Sequence, residues 1–187
     1  SQALRSLAVT GLIEIRPGSG AYVLRKPTTA VGTGVQMMIE LEPDSIDEAV
    51  EMRHLLELAA ADLITAKPQL QVTGIEEALQ RLRAARGSAS EWIAADTNFH
   101  VAYVRLAGNR YLTSVFESVH DIVVTKAYER WIVAGEAPPW LTGEEFGAQI
   151  ALHEPIARAL QDRDHAELVT ALQRHQEALE EHMGVRR

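Results

Sequence analysis

From about residue 41 to the end, the chain shows no alternating apolar–polar run. Its apolar residues recur at intervals of three and four. That period lets a helix bury a single stripe, and it excludes a sheet-based body. Proline and glycine divide the run into segments. Pro43-Asp44-Ser45 opens a first helix that reaches about Ala66, with Ile46, Val50, Met52, Leu55, Leu56, Leu58, Leu63 and Ile64 as its apolar residues, and Pro68 stops it. Further helices are expected over about Leu70–Arg86, Ser90–Ala107, Arg110–Val133, Thr142–Gln161 and His165–Met183, and a short one within Val35–Leu41. The fold class is therefore all-α, an antiparallel bundle of about six to seven helices. The short connections favour packing in chain order. The break at Gly135–Pro139 leaves room for one crossover.

The front of the chain is different. Gln2–Val9 reads as the end of a helix, and Gly11 suits its C-cap. Leu12–Ile15 and Ala21–Leu24 read as two short strands around the turn Arg16-Pro17-Gly18-Ser19-Gly20. Two readings fit this pattern: the back half of a winged helix-turn-helix, or an ordinary hairpin at a domain edge. Lys26–Met38, with Pro27, Gly32 and Gly34, reads as a linker. The expected division is 1–26 for the partial winged helix, 27–40 for the linker and 41–187 for the helical domain. Charge follows the same line. Residues 1–26 carry Arg5, Arg16, Arg25 and Lys26 against Glu14 alone, while the whole chain has a net charge of −8. A small basic front on an acidic body points to two jobs in one chain.

The chain has no cysteine, which excludes disulfides, thiolate metal ligands and a cysteine nucleophile. No apolar run approaches the ~20 residues of a membrane span, and no signal-peptide pattern opens the chain. The expectation is a cytoplasmic protein with no membrane partner.

The chemistry concentrates in the third long helix. Asp96 and His100 are four residues apart, which places a carboxylate and an imidazole on one helical face. So placed, they can share one divalent ion, and His153 and His175, from two later helices, could complete the site. The plainer alternative is a surface i,i+4 pair. His182 lies two turns beyond His175 on the same helix and rivals it. His54, His120 and His165 have no partner at ligand spacing and read as surface or supporting residues. Arg53 suits either a pair with Glu57 or a clamp on a bound carboxylate. Asn109 suits a helix end or a group supporting a ligand histidine. Trp92, Trp131 and Trp140 read as core or interface residues, with Trp140 also placed to line a cavity mouth.

Two stretches resemble one known family. Ala3-Leu4-Arg5 followed by Gly11-Leu12-Ile13-Glu14-Ile15-Arg16-Pro17-Gly18-Ser19-Gly20-Ala21-Tyr22-Val23 resembles the end of the DNA-binding domain of GntR-type bacterial transcription regulators. Glu51-Met52-Arg53 with Glu57, Asp96-x-x-Phe99-His100 with Gly108-Asn109, His153 with Ile156, Ala159 and Asp164, and Ala171 with His175 resemble the effector (FCD) domain of the FadR branch of that family. The resemblance implies that Asp96, His100, His153 and His175 hold one divalent metal ion. Zinc is favoured, with nickel, manganese or iron as alternatives. It implies that Arg53 and Asn109 face a small organic acid effector, and that Arg5, Arg16, Gly18 and Gly20 approach DNA. It begins partway along the recognition helix, so this stretch alone is expected to bind DNA poorly.

The function expected is a ligand-responsive transcription regulator, a homodimer on double-stranded operator DNA, and not an enzyme. Two other classes stand beside it: a metal-dependent enzyme on a helical bundle, for which Glu154 is the least unsuitable base, and a metal-free helical dimerisation module.

Overall fold

A computed structural model describes residues 2–9, 13–23, 34–38, 41–42 and 46–185. The front consists of α1 (Gln2–Val9) and a hairpin of β1 (Ile13–Arg16) and β2 (Gly20–Val23). The strands pair antiparallel, Ile13 opposite Val23 and Arg16 opposite Gly20. Gly18 and Gly20 have φ of 74° and 120°, a region where a side chain is strained, so the tight turn requires glycine at both. Gly11, the expected C-cap, and most of the expected linker lie outside the described residues. Residues 34–38 are helical, within the region where a short helix was expected.

The body contains α2 (Ile46–Thr65), α3 (Thr73–Ala84), α4 (Ala89–Arg105), α5 (Arg110–Ala134), a single turn α6 (Pro139–Thr142), α7 (Phe146–Asp162) and α8 (His165–Met183). The expected helices are all present, with ends moved by a few residues. The opening signal Pro43-Asp44-Ser45 lies outside the described residues. Caps account for several boundaries. Ser88 Oγ accepts from the backbone N–H of Glu91 at the start of α4, and Asp164 Oδ1 accepts from that of Glu167 at the start of α8. Asn109 Oδ1 accepts from Tyr111 and Leu112 at 3.1 and 3.2 Å and starts α5. Arg163, between α7 and α8, is the one non-glycine residue with positive φ among those described. Its guanidinium bonds the carbonyls of Pro68 and Lys67, which holds the tight corner against α2.

Packing follows chain order in part. α3 lies on α4, α4 on α5, and α7 on α8. α2 departs from that order and packs chiefly on α5 and α8. After the Gly135–Pro139 break the chain crosses over, and α7 packs against α3 and α8. The main core gathers Ile64, Ile75, Leu82, Trp92, Phe99, Tyr103, Phe116, Leu141, Ile156, Leu160 and Leu168. Ala60 and Ala61, both fully buried, let neighbouring helices approach α2 closely. Trp92 sits in this core, edge-on to Trp140 at 5.1 Å and Phe146 at 5.7 Å. Among the described residues no helix is long and apolar enough to cross a membrane.

Replacing Asn109 by alanine removes two capping bonds and leaves the core untouched. The expected loss is about 1 kcal/mol, read as a fall in melting temperature of roughly 2–4 °C for a chain of this size. An unchanged melting temperature would show that the cap does not hold α5.

Candidate metal centre

Asp96 and His100 lie one turn apart on the inner face of α4, flanked by buried Phe99 and Tyr103. His153 comes from the middle of α7, which continues through Pro155. His175 comes from α8. The structure brings all four into one cluster: each is buried, and one donor atom of each lies within 4.8 Å of the others.

The hydrogen-bond partners assign the protons. His153 Nδ1 lies 2.8 Å from the backbone carbonyl of Gln149, which can only accept. Nδ1 therefore carries a ring proton, and in the neutral ring Nε2 is the nitrogen free to bind a cation. That nitrogen lies 3.0 Å from Asp96 Oδ1 and 3.2 Å from His175 Nε2. His100 Nδ1 lies 2.7 Å from Glu57 Oε1, so it donates there and leaves Nε2 as an acceptor, 3.8 Å from Asp96 Oδ1. Acceptors thus converge on one small volume, an arrangement that a cation between them relieves. Donors bound at ~2.1 Å to one ion stand at most ~4.2 Å apart. The 4.8 Å spread closes to that with a shift of about half an ångström. Three imidazoles and a carboxylate suit zinc, nickel, manganese or iron(II).

A second layer holds these groups. Glu57 on α2 is fully buried, and its carboxylate takes both ends of Arg53, at 3.2 Å each, besides His100. Burial alone would raise the Glu57 pKa, but Arg53, His100 and His120 outweigh it and hold it at about 2. Tyr103 donates to the Glu57 backbone carbonyl at 2.6 Å and ties α4 to α2. Arg53 Nε donates to His120 Nδ1 at 3.0 Å, which leaves the His120 proton on Nε2, 3.5 Å from Asp96 Oδ2. Arg53 Nη1 also reaches Gln176 Oε1 at 3.5 Å. Asp96 is held well below the usual carboxylate range: burial raises it, and His100, His153 and His120 pull it down further. Burial lowers His100, His120 and His175, so all three stay neutral, the form that binds metal.

Several sequence readings change here. His120 is completely buried and belongs to the second layer, so the surface alternative for it fails. Its neighbours Phe116, Val119 and Val123 already marked an apolar face; spacing to another ligand did not find it because its partners come from α2 and α4. Arg53 is engaged by Glu57, His120 and Gln176, which is the pairing alternative. Asn109 is exposed and caps α5, which is the helix-end alternative, and it is not among the residues lining the pocket beside the cluster. His165 pairs with Asp62 at the surface at 2.8 Å. His182 lies at the mouth of the pocket rather than in the cluster, donating towards the Ala127 carbonyl at 3.3 Å. Trp140 packs on Trp92 and does not line that pocket. At the front, Arg5 is exposed on α1, and Arg16 is exposed, bonding Glu14 at 2.9 Å and lying over the Tyr22 ring.

A small pocket of about 40 Å³ opens beside the cluster. Its floor is Asp96, His153, His175 and Arg53. Trp92, Val124, Tyr128, Leu152, Ala178 and Leu179 form the walls, and Gln149 and His182 the rim.

The protonation pattern sets a pH dependence. The buried histidines are neutral in the fold but take up protons in the unfolded chain below their ordinary value of 6.5. The unfolded state then binds more protons, so stability falls as pH falls. Glu57 acts in the same direction lower down: its contribution is present above 4.5 and lost as pH drops towards 2. Metal-free protein should therefore lose melting temperature steadily from pH 7.5 to 5, and again below 4.5. A flat profile from 7.5 to 5 would mean that the histidines are not buried in the neutral form.

Comparison with known proteins agrees with this architecture. The FCD domain model matches residues 48–178, a span that contains the whole cluster. The HTH-type transcriptional regulator LutR of Bacillus subtilis is 22% identical over 177 residues, covering 93% of this chain and 78% of its own length. Among solved structures, Streptococcus agalactiae GntR superposes with a TM-score of 0.68 at 19% identity, over 96% of this chain and 79% of its own. E. coli McbR/YncC superposes at 0.59 and 18%, over 95% and 79%. The matched domain, the relative and the shared fold place this chain in the GntR family of transcription regulators, with an FCD domain as its helical body.

Proposed function

We propose that this chain is a metabolite-responsive regulator in which Asp96, His100, His153 and His175 hold one divalent metal ion, zinc first, and a small organic acid binds beside it. The observation that carries the reading is the convergence of one donor atom from each of the four buried residues within 4.8 Å, with His153 Nε2 3.0 Å from Asp96 Oδ1 and 3.2 Å from His175 Nε2. Glu57 on His100, and the Gln149 carbonyl on His153, orient the rings as the outer partners of metal-bound histidines do. A divalent ion with one carboxylate leaves a local charge of +1, because Arg53 and Glu57 cancel each other. An anion is therefore attracted into a largely apolar pocket. The relatives are transcription regulators, which favours a sensing role over turnover.

In this reading residues 1–26 are the end of a winged helix, 27–40 a linker and 41–187 the sensor. Arg5 and Arg16 face the DNA backbone or grooves, with Gly18 and Gly20 shaping the wing tip. Two copies form a homodimer that reads two half-sites of double-stranded operator DNA. Effector binding shifts the dimer between DNA-competent and incompetent arrangements, a coupling of about 1–3 kcal/mol in regulators generally.

Metal analysis of protein purified without chelator tests the centre. The native chain should carry about one ion per chain, and His153→Ala should carry none after reloading with zinc, nickel or manganese. Glu57→Gln should keep the stoichiometry but weaken metal affinity about 10–100-fold, since it loosens His100 without removing a ligand. A native chain that takes up no ion would overturn the proposal.

A further inference from the structure

We infer that the effector carries a single carboxylate and a short apolar tail, and that the pocket selects against dicarboxylates of the same length. The inference rests on the metal-centre reading and adds the chemical class of the ligand.

Positive charge along the pocket is scarce. Among its lining residues the permanently cationic side chain is Arg53. Its guanidinium is 1% exposed and already engaged: both Glu57 oxygens lie at 3.2 Å, His120 Nδ1 at 3.0 Å and Gln176 Oε1 at 3.5 Å. Withdrawing it for a ligand would leave the buried Glu57 charge with His100 as its one side-chain partner and no cation, at a cost that a solvated carboxylate does not offset. The rim offers Gln149, an uncharged amide, and His182, whose Nε2 is directed at the Ala127 carbonyl. One carboxylate therefore finds a positive centre at the floor, and a second finds none.

The walls decide which groups the ligand can carry beyond its carboxylate. Above the floor come Val124, Leu152, Ala178 and Leu179, with the faces of Trp92 and Tyr128. The Tyr128 hydroxyl accepts from the Trp92 indole N–H at 3.3 Å, which leaves its own O–H as the single polar donor of these walls. A charged second end placed there would be desolvated with one neutral hydroxyl donor and no cation to compensate it. Methylene groups placed there leave water for an apolar wall, and each is expected to tighten binding about fourfold. At about 40 Å³ the open space admits only a small acid, which limits the tail to a few carbons.

The test is calorimetric titration of the metal-loaded chain with acetate, propionate, butyrate and succinate, with melting temperature as a second readout. Affinity should rise through the first three, and succinate, four carbons long like butyrate, should bind at least tenfold more weakly than butyrate. Gln149→Lys supplies a cation at the rim and leaves the backbone carbonyl that holds His153 in place. It should narrow or reverse the butyrate-to-succinate ratio. Succinate binding as tightly as butyrate, or a flat affinity from acetate to butyrate, overturns this inference alone. A folded, metal-loaded Gln149→Lys protein that gains nothing on succinate also overturns it. Metal-loaded native protein that binds none of the four acids overturns the carboxylate-effector reading together with this inference.

Discussion

The structure depends on a contact that looks unfavourable in isolation. A carboxylate oxygen and three imidazoles crowd together in the interior of a helical bundle, with one ring nitrogen 3.0 Å from that oxygen and its ring's other nitrogen committed to a backbone carbonyl. A buried polar atom without a compensating partner costs free energy, and a buried charge costs more. Asp96, His100, His153 and His175 concentrate that cost where three helices meet. The same features that make the site expensive for a folded chain make it a good host for a divalent ion.

The surrounding residues limit the cost. Glu57 and Arg53 form a buried pair with ring nitrogens and an amide on their remaining hydrogen-bonding positions, so neither charge is isolated. They also orient what they touch. Glu57 sets the His100 tautomer, and Arg53 sets that of His120, which turns its N–H towards Asp96. α2, α4, α5, α7 and α8 each contribute a residue to this one connected network. A change at its centre is felt by every long helix of the body except α3, which suits a domain that must report occupancy elsewhere.

The fold was largely legible in the sequence, because helical period and proline or glycine breaks are local properties. The segments, their ends at Ser88, Asn109 and Asp164, and the crossover after Gly135 all come from short stretches of chain. The expectation of packing in chain order held for α3 on α4 and α4 on α5. It failed for α2, whose buried Arg53 and Glu57 pair with each other and are completed by residues more than forty positions away. His120 escaped notice for the same reason: its partners are distant in sequence, and no local spacing announces them.

The sequence by itself determined that the body is helical, that the front is a helix and a hairpin, and that Asp96 and His100 share a helical face, since each rests on contacts within a turn or a strand. Tertiary structure decided that His153 and His175 meet that face, that Arg53 is bound by Glu57 and His120, and that Asn109 caps a helix outside the pocket. Those outcomes depend on which helices pack together. That choice is made by burial summed over the whole core and by the need to partner every charge taken out of water.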